Sequence, residues 1–444
     1  MKSSKTQSAS LSFPVRNDHF GSQPSLPNRR RPVELTVDTG REARMWQFVA
    51  VLCVVAVVGH YFWPIADRML GLSGIYMATF ALGRLPRWRG FLVFATFYLA
   101  AMSPLILAGS TIMNTSLGEG TIWWLLHGIT TSLPILLLRG RAAGFRAALV
   151  ALLYIVPPFG YVGANNPSIL IGLIFPGSSI FGVIGFILLA NAIGSFDLKN
   201  KFQVRSLAIL VLMSLALNAK LATTTATRVP SNWHGFDTGM GSFGGDLQRR
   251  MDIANLELPT LLSAEISKDS ADHKGEIWFF AEGMIHDWSS ATDFFWRHKL
   301  KGTDVTAIVG GYEYNPISDS VTSRVYMLGD ISSQAKVKPG LDAARAGMTF
   351  PQTMWHPWKP QSHFPMHLPG PAVELDGKRV HFNWCYESTI VWPHFLASME
   401  SVDVMVSLEN RWLTWNTSLD SAQNVAGRLN ARWLGVPLLQ AINR

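Results

Sequence analysis

The sequence predicts a multi-pass α-helical membrane domain followed by a separate α/β domain. Three observations carry this. Apolar runs with few charges fill the stretch from about Met45 to Ala222. From Thr224 the composition changes to that of a water-exposed domain, rich in Trp, Asp, His and Arg. In that second half, period-two apolar segments alternate with segments of helical spacing, the pattern of a layered α/β domain. Across the 444 residues, 48% are hydrophobic and only 15% are charged, few for a soluble chain of this size. The predicted organisation is therefore a tail over 1–44, a transmembrane domain over 45–223 and a second domain over 224–444.

The tail is polar, rich in Ser, Pro and Arg, and carries the run Arg29-Arg30-Arg31. Its composition predicts a disordered basic segment. It is not a cleaved signal peptide, because the first apolar run starts late and lacks a small-residue cleavage pattern. A solvated cytoplasmic tail obeying the positive-inside rule accounts for it, with attraction to anionic lipid as a second role.

A helix needs about 20 apolar residues to cross a bilayer. The candidate spans are Trp46–Trp63, Leu70–Leu82, Phe91–Leu107, Ile122–Leu138, Ala147–Val162, Ile169–Ile193 (interrupted at Pro176-Gly177) and Leu207–Leu221. Basic residues precede the first span (Arg41, Arg44) and follow the second (Arg84, Arg87, Arg89), the fourth (Arg139, Arg141, Arg146) and the sixth (Lys199, Lys201, Arg205). The alternate loops carry almost none. All basic loops share one side only if all seven segments cross with the N-terminus inside. The N-terminus is then expected in the cytoplasm and residues 224–444 outside it. The net charge of +8 is used up by tail and loops in this way, so no direct nucleic-acid binding is expected. The spans hold few ionisable residues, which argues against transport. Their polar residues His127 and Asn191 fit bonds between helices.

In the second half, Glu276–Ala281, Val305–Tyr312, Ser323–Leu328, Val373–Leu375, Val380–Cys385, Val402–Leu408 and Val436–Ile442 read as strands, and His286–Leu300 and Leu419–Trp433 as helices. Asp376-Gly377 between two strands is a strong hairpin signal. Asp330–Pro371 has many prolines and little period, and reads as a loop over a site. His356, His363 and His367 in that loop are spaced poorly for zinc, so neither metal nor cofactor is expected.

The candidate chemistry centres on Cys385, a thiol ending an alternating strand, with Glu387 two residues on. Glu282 ends an earlier strand, and Lys336, Lys338 and Arg345 lie between the two. A thiol nucleophile, a carboxylate base and a cation for the developing oxyanion make an acyl-transfer set. Taken alone, a strand-end Cys is more often packing than catalysis.

The wording around these residues resembles the carbon–nitrogen hydrolase (nitrilase) superfamily, in particular its membrane branch, which contains apolipoprotein N-acyltransferase and the conjugal-transfer TraB family. The matching segments are Asn232-Trp233-His234-Gly235-Phe236-Asp237-Thr238, Phe280-Ala281-Glu282 with Trp288 and Thr292–Trp296, Trp384-Cys385-Tyr386-Glu387, Asn410-Arg411-Trp412, Gln423–Arg432, Gly435–Leu439 and Ile442-Asn443. Met354–Trp358 and Ile390-Val391-Trp392-Pro393 lean toward the TraB side. The resemblance implies an α-β-β-α sandwich, with Glu282 as general base, Cys385 as nucleophile and Glu387 as accessory carboxylate. It implies acyl or amide substrates at the outer face of the inner membrane, with membrane lipids and conjugation-apparatus proteins as partners. The family's lysine has no direct counterpart: Thr349-Phe350-Pro351-Gln352 stands where the segment following it should, leaving Arg345, Lys336 or Lys338 to supply the cation. Three readings stay open: a thiol amidase or acyltransferase, lipid acyl transfer of the lipoprotein kind, and a degenerate component of a transfer apparatus.

Overall fold

The computed structural model describes residues 87–113, 116–137, 143–162, 167–223, 228–241, 247–268, 275–285, 288–315, 320–329, 372–411 and 418–444, with Gln47 and Val54 as isolated helical positions. The basic tail, the first two expected spans apart from those two positions, and the expected loop over 330–371 lie outside the described residues.

The apolar half forms α1 (Arg87–Ala101), α2 (Leu105–Met113), α3 (Leu117–Ser132, continued by a 3-10 turn Leu133–Leu137), α4 (Ala143–Leu153), α5 (Ile180–Ser195) and α6 (Lys201–Thr223). Two expected spans are shorter here than the hydropathy suggests, and proline is the reason. Phe91–Leu107 is two helices, broken before Pro104; α4 stops at Leu153, ahead of Pro157 and Pro158. Among the described residues, two helices are long and apolar enough to cross a bilayer by length and composition, Leu117–Leu137 and Lys201–Thr223. The second buries none of its residues. His127 bonds across helices to the Tyr98 hydroxyl at 3.0 Å.

Among the described residues, the second half holds two four-stranded sheets. The first is β1 (Trp233–Gly235), β2 (Ile277–Ile285), β3 (Thr306–Asn315) and β4 (Ser320–Leu328), with β1, β2 and β3 parallel and β4 antiparallel. The other is β5 (Val373–Leu375), β6 (Lys378–Trp384), β7 (Val404–Asn410) and β8 (Leu438–Asn443), with β5 antiparallel and the rest parallel. Alternation decides which face each residue takes. Ile277, Phe279 and Ile308 meet Val380, Phe382, Trp384, Val404, Val406 and Leu408 in one core between the sheets. The opposite face of the first sheet, with Trp278 and Phe280, is covered by α8 (Leu258–Lys268), by α9 (Ser290–Leu300) and by the turn that joins α8 to α7 (Leu247–Asp252). α7 and α8 were not expected from the sequence; they run on through a π turn at Ile253–Glu257, placed just ahead of Pro259. α9 begins at Ser289, whose hydroxyl accepts the Thr292 N–H at 3.2 Å.

Beyond the second sheet lie the short α10 (Trp392–Ala397) and the long α11 (Ser418–Leu434). α11 joins the two halves. Its Leu419, Ala422, Ala426, Leu429 and Trp433 share a core with Phe94, Tyr98, Tyr154, Phe175 and Phe186 of the helical half. At Gly172, a Cβ would lie 1.8 Å from the Leu429 carbonyl oxygen, so only glycine permits the approach. The break at Pro176-Gly177 is where the end of α11 docks. Gly177 N–H donates to Arg432 O at 2.6 Å, and Trp433 Nε1 donates to Ser179 O at 2.8 Å.

Candidate active site

β6 buries Val380, Phe382 and Trp384 between the sheets, and His381 and Asn383 on its other face. The strand stops at Trp384 because Cys385 (φ −33, ψ −69) turns the chain into a 3-10 helix, Tyr386–Thr389. That turn is anchored on several sides. The Cys385 carbonyl accepts from Ser388 Oγ at 2.8 Å and from Gln423 Nε2 at 2.5 Å. Asn430 Nδ2 donates to Ser388 O at 2.8 Å. The Glu387 carboxylate is buried and accepts the Trp384 N–H at 3.4 Å. His394 Nε2 lies 3.1 Å from the Glu387 carbonyl, which can only accept, so Nε2 carries the proton and Nδ1 accepts from His381 Nε2 at 3.3 Å.

Glu282 enters from the facing sheet. The β2–β3 register is regular to Phe280↔Val309 and resumes at Ile285↔Gly311, so β2 bulges through Glu282 and Gly283. Gly283 has φ +68, and at Gly310 a Cβ would lie 2.6 Å from Glu282 Cα. Both glycines are needed to bring the bulge out. Glu282 Oε2 then accepts the Cys385 N–H at 3.1 Å.

The thiol sits between two polar groups. Cys385 Sγ donates to Asn410 O at 3.3 Å, and Gln423 Nε2 lies 3.0 Å from Sγ. Beside them runs a buried polar line. Asn383 Nδ2 donates to Ser407 Oγ at 2.7 Å, and Ser407 Oγ to Glu409 Oε1 at 2.5 Å. Arg411 Nε pairs with Glu409 Oε2 at 2.5 Å, and Arg411 Nη1 with Asp420 Oδ1 at 3.1 Å. Burial and the neighbouring Glu387 charge push the Glu282 carboxyl up to about 8. Burial, then Glu282 and Glu409, push the Cys385 thiol up to about 12, against the Gln423 hydrogen bond and the Arg411 charge. Burial and the Glu282 charge also raise the Tyr312 phenol, whose oxygen reaches the same corner beside Gly283.

The fold thus brings together Cys385, Glu282 and Glu387 from segments about a hundred residues apart. Lys336, Lys338 and Arg345 lie outside the described residues. Among the described residues, the cation whose charge reaches Cys385 is Arg411. Sequence reasoning gave no role to Tyr312, Glu409, Asn410, Arg411 or Gln423. Signals existed for four of them: Asn410, Arg411 and Gln423 lie in segments that carry the family resemblance, and Glu409 and Arg411 are an acid and a base at the end of a strand, a pattern of buried pairing. Among the described residues no three His, Cys, Asp or Glu side chains converge to hold a metal ion.

These features define a class: a two-sheet α/β chain with an enclosed cysteine–carboxylate site, packed on an apolar helical half. Within that class the chain is similar to two conjugal transfer proteins. It is 25% identical over 366 residues to a protein of Sinorhizobium fredii named "Probable conjugal transfer protein TraB", covering 79% of this chain and 87% of the relative. It is 24% identical over 430 residues to "Conjugal transfer protein TraB" of Agrobacterium fabrum, covering 90% of this chain and 85% of the relative. No family model matches the chain.

Proposed function

We propose that this chain serves plasmid conjugal transfer as a multi-pass inner-membrane protein whose periplasmic, nitrilase-like domain uses Cys385 for amide hydrolysis or acyl transfer. The role in transfer is supported by similarity to the two TraB proteins along most of the chain. The chemistry is supported by one observation above the others: Glu282 reaches across from the facing sheet to the N–H of Cys385, at the end of a strand. In the reaction, the ionised form of Glu282, the minority form below pH about 8, takes the thiol proton as Sγ bonds to the substrate's carbonyl carbon, and the carbonyl π pair moves to oxygen. The tetrahedral intermediate collapses to a thioester, and the leaving amine takes the proton from Glu282. Water or an acceptor amine then releases the acyl group by the reverse sequence.

A second reading is a component that keeps the site without turning it over. It is favoured by the thiol itself, which is protonated at neutral pH when pushed up to about 12. Intact-mass spectrometry of the full-length chain, with and without Cys385→Ala, separates the two. An acyl adduct lost in the variant is the expected result; full conjugation frequency from a Cys385→Ala donor strain would remove the chemistry from the biological role.

A further inference from the structure

We propose that Gln423 is a working residue of this site, its side-chain amide donating to the Cys385 sulfur and holding the thiolate, and that Arg411 positions it through Asp420. The inference rests on the reading of Cys385 as a nucleophile. The orientation of the amide follows from its partners. The Cys385 carbonyl only accepts, so the nitrogen side of Gln423 faces it at 2.5 Å. The same nitrogen lies 3.0 Å from Sγ. It has two protons, one for the carbonyl oxygen and one for the sulfur. A donor aimed at sulfur gains strength when the sulfur becomes charged, so it favours the attacking form.

The second part follows from where the contacts ride. Asn410, whose carbonyl accepts the thiol proton, is followed in the chain by Arg411. Arg411 pairs with Glu409 behind it and with Asp420 in the first turn of α11. Gln423 is three residues further along that helix, one turn on and on the same face. One guanidinium therefore ties the end of β7 to the start of α11, and both groups touching sulfur stand on those two segments. Gln423, Glu409 and Arg411 are 5%, 0% and 2% exposed and the Asp420 side chain 19%, so the link is enclosed at Arg411 and half-buried at Asp420 rather than a solvated surface pair.

The charged and titratable groups around the thiol are Glu282 from β2, Tyr312 from β3, Glu409 and Arg411 at the end of β7, and Glu387 in the turn after Cys385. The test is the pH profile of Cys385 alkylation by iodoacetamide in the purified full-length chain, with the label located by peptide mass spectrometry. Gln423→Leu is expected to shift the profile to higher pH and to lower the rate at pH 8 by about tenfold, the loss of one hydrogen bond to a charged group. Gln423→Glu, the same shape with a negative charge, is expected to shift it further in the same direction. Arg411→Lys is expected to shift it less than Arg411→Met, because the cation is kept. A rate changed equally at every pH reports access alone and overturns the assignment. So does a wild-type profile in either Gln423 variant. The probe needs no acyl substrate. A shifted profile in a chain that forms no acyl adduct would refute the acyl-transfer reading and leave Gln423 assigned; an adduct with an unshifted profile would do the reverse.

Discussion

Glu282 and Cys385 meet across the two facing sheets: Glu282 Oε2 accepts the backbone N–H of Cys385 at 3.1 Å. The hydrogen bond goes to the main chain, so the contact survives changes to the thiol. It also makes the carboxyl a sensor of the site. The bond itself favours the charged form, yet burial and the Glu387 charge outweigh it.

The raised Glu282 carboxyl sets a pH dependence of stability. Its pKa is about 8 in the fold against an ordinary value of 4.5, so the neutral form is favoured on folding. Ionisation therefore costs stability, beginning above the unfolded value and complete once pH passes about 8. Glu282→Gln removes that ionisation and keeps an oxygen to accept the Cys385 N–H. Its stability is expected to gain on the parent's by about 2–4 kcal/mol from pH 5 to pH 9, read as a growing difference in melting temperature. Parallel melting curves at the two pH extremes would disprove the assignment.

Removing the thiol is expected to cost little fold stability. Cys385→Ala leaves Asn410 O without its thiol donor and Gln423 with only the Cys385 carbonyl to bond. A loss of about 1–2 kcal/mol follows. Thermal melts of the purified variant check this; outright failure to fold would mean that the sulfur is structural.

The buried pair Glu409–Arg411 predicts strong non-additivity. Arg411→Met strands a carboxylate that is fully enclosed, at a cost of about 3–5 kcal/mol. Adding Glu409→Gln should recover much of that, because the stranded charge is gone. A double-mutant cycle by denaturant unfolding measures the coupling, and additive effects would contradict it.

The docking of α11 on the helical half depends on the absence of a side chain at Gly172. Gly172→Ala would force the chain away from the Leu429 carbonyl, now 1.8 Å from the would-be Cβ, and should lower the melting temperature by several degrees. Gly239→Ala is the control, with nothing within 4 Å of its added Cβ and no change expected.

Much of the local structure was legible. Alternation in Val380, Phe382 and Trp384 marked β6, and the Asp376-Gly377 turn follows from its residue types: both take positive φ, +50 and +70, which Asp and Gly tolerate. α11 and β8 lie within two residues of their expected bounds. Short or proline-bearing elements were not legible. β1 has three residues, too few for a period, and the apolar runs containing Pro104 and Pro157 looked continuous to hydropathy although their helices stop there.

By itself the sequence determined where most of the longer strands and the helices α9 and α11 of the second half run, because side-chain period and turn chemistry are local properties. It also marked Cys385 and Glu282 as strand-end groups. Only the tertiary structure decided what stands against the thiol. Gln423 reaches it from 38 residues away, through a helix docked by a glycine contact, and Arg411 holds that helix to a strand end. No periodicity encodes such contacts, because they depend on how two sheets and a helix pack, and packing is set by the whole chain.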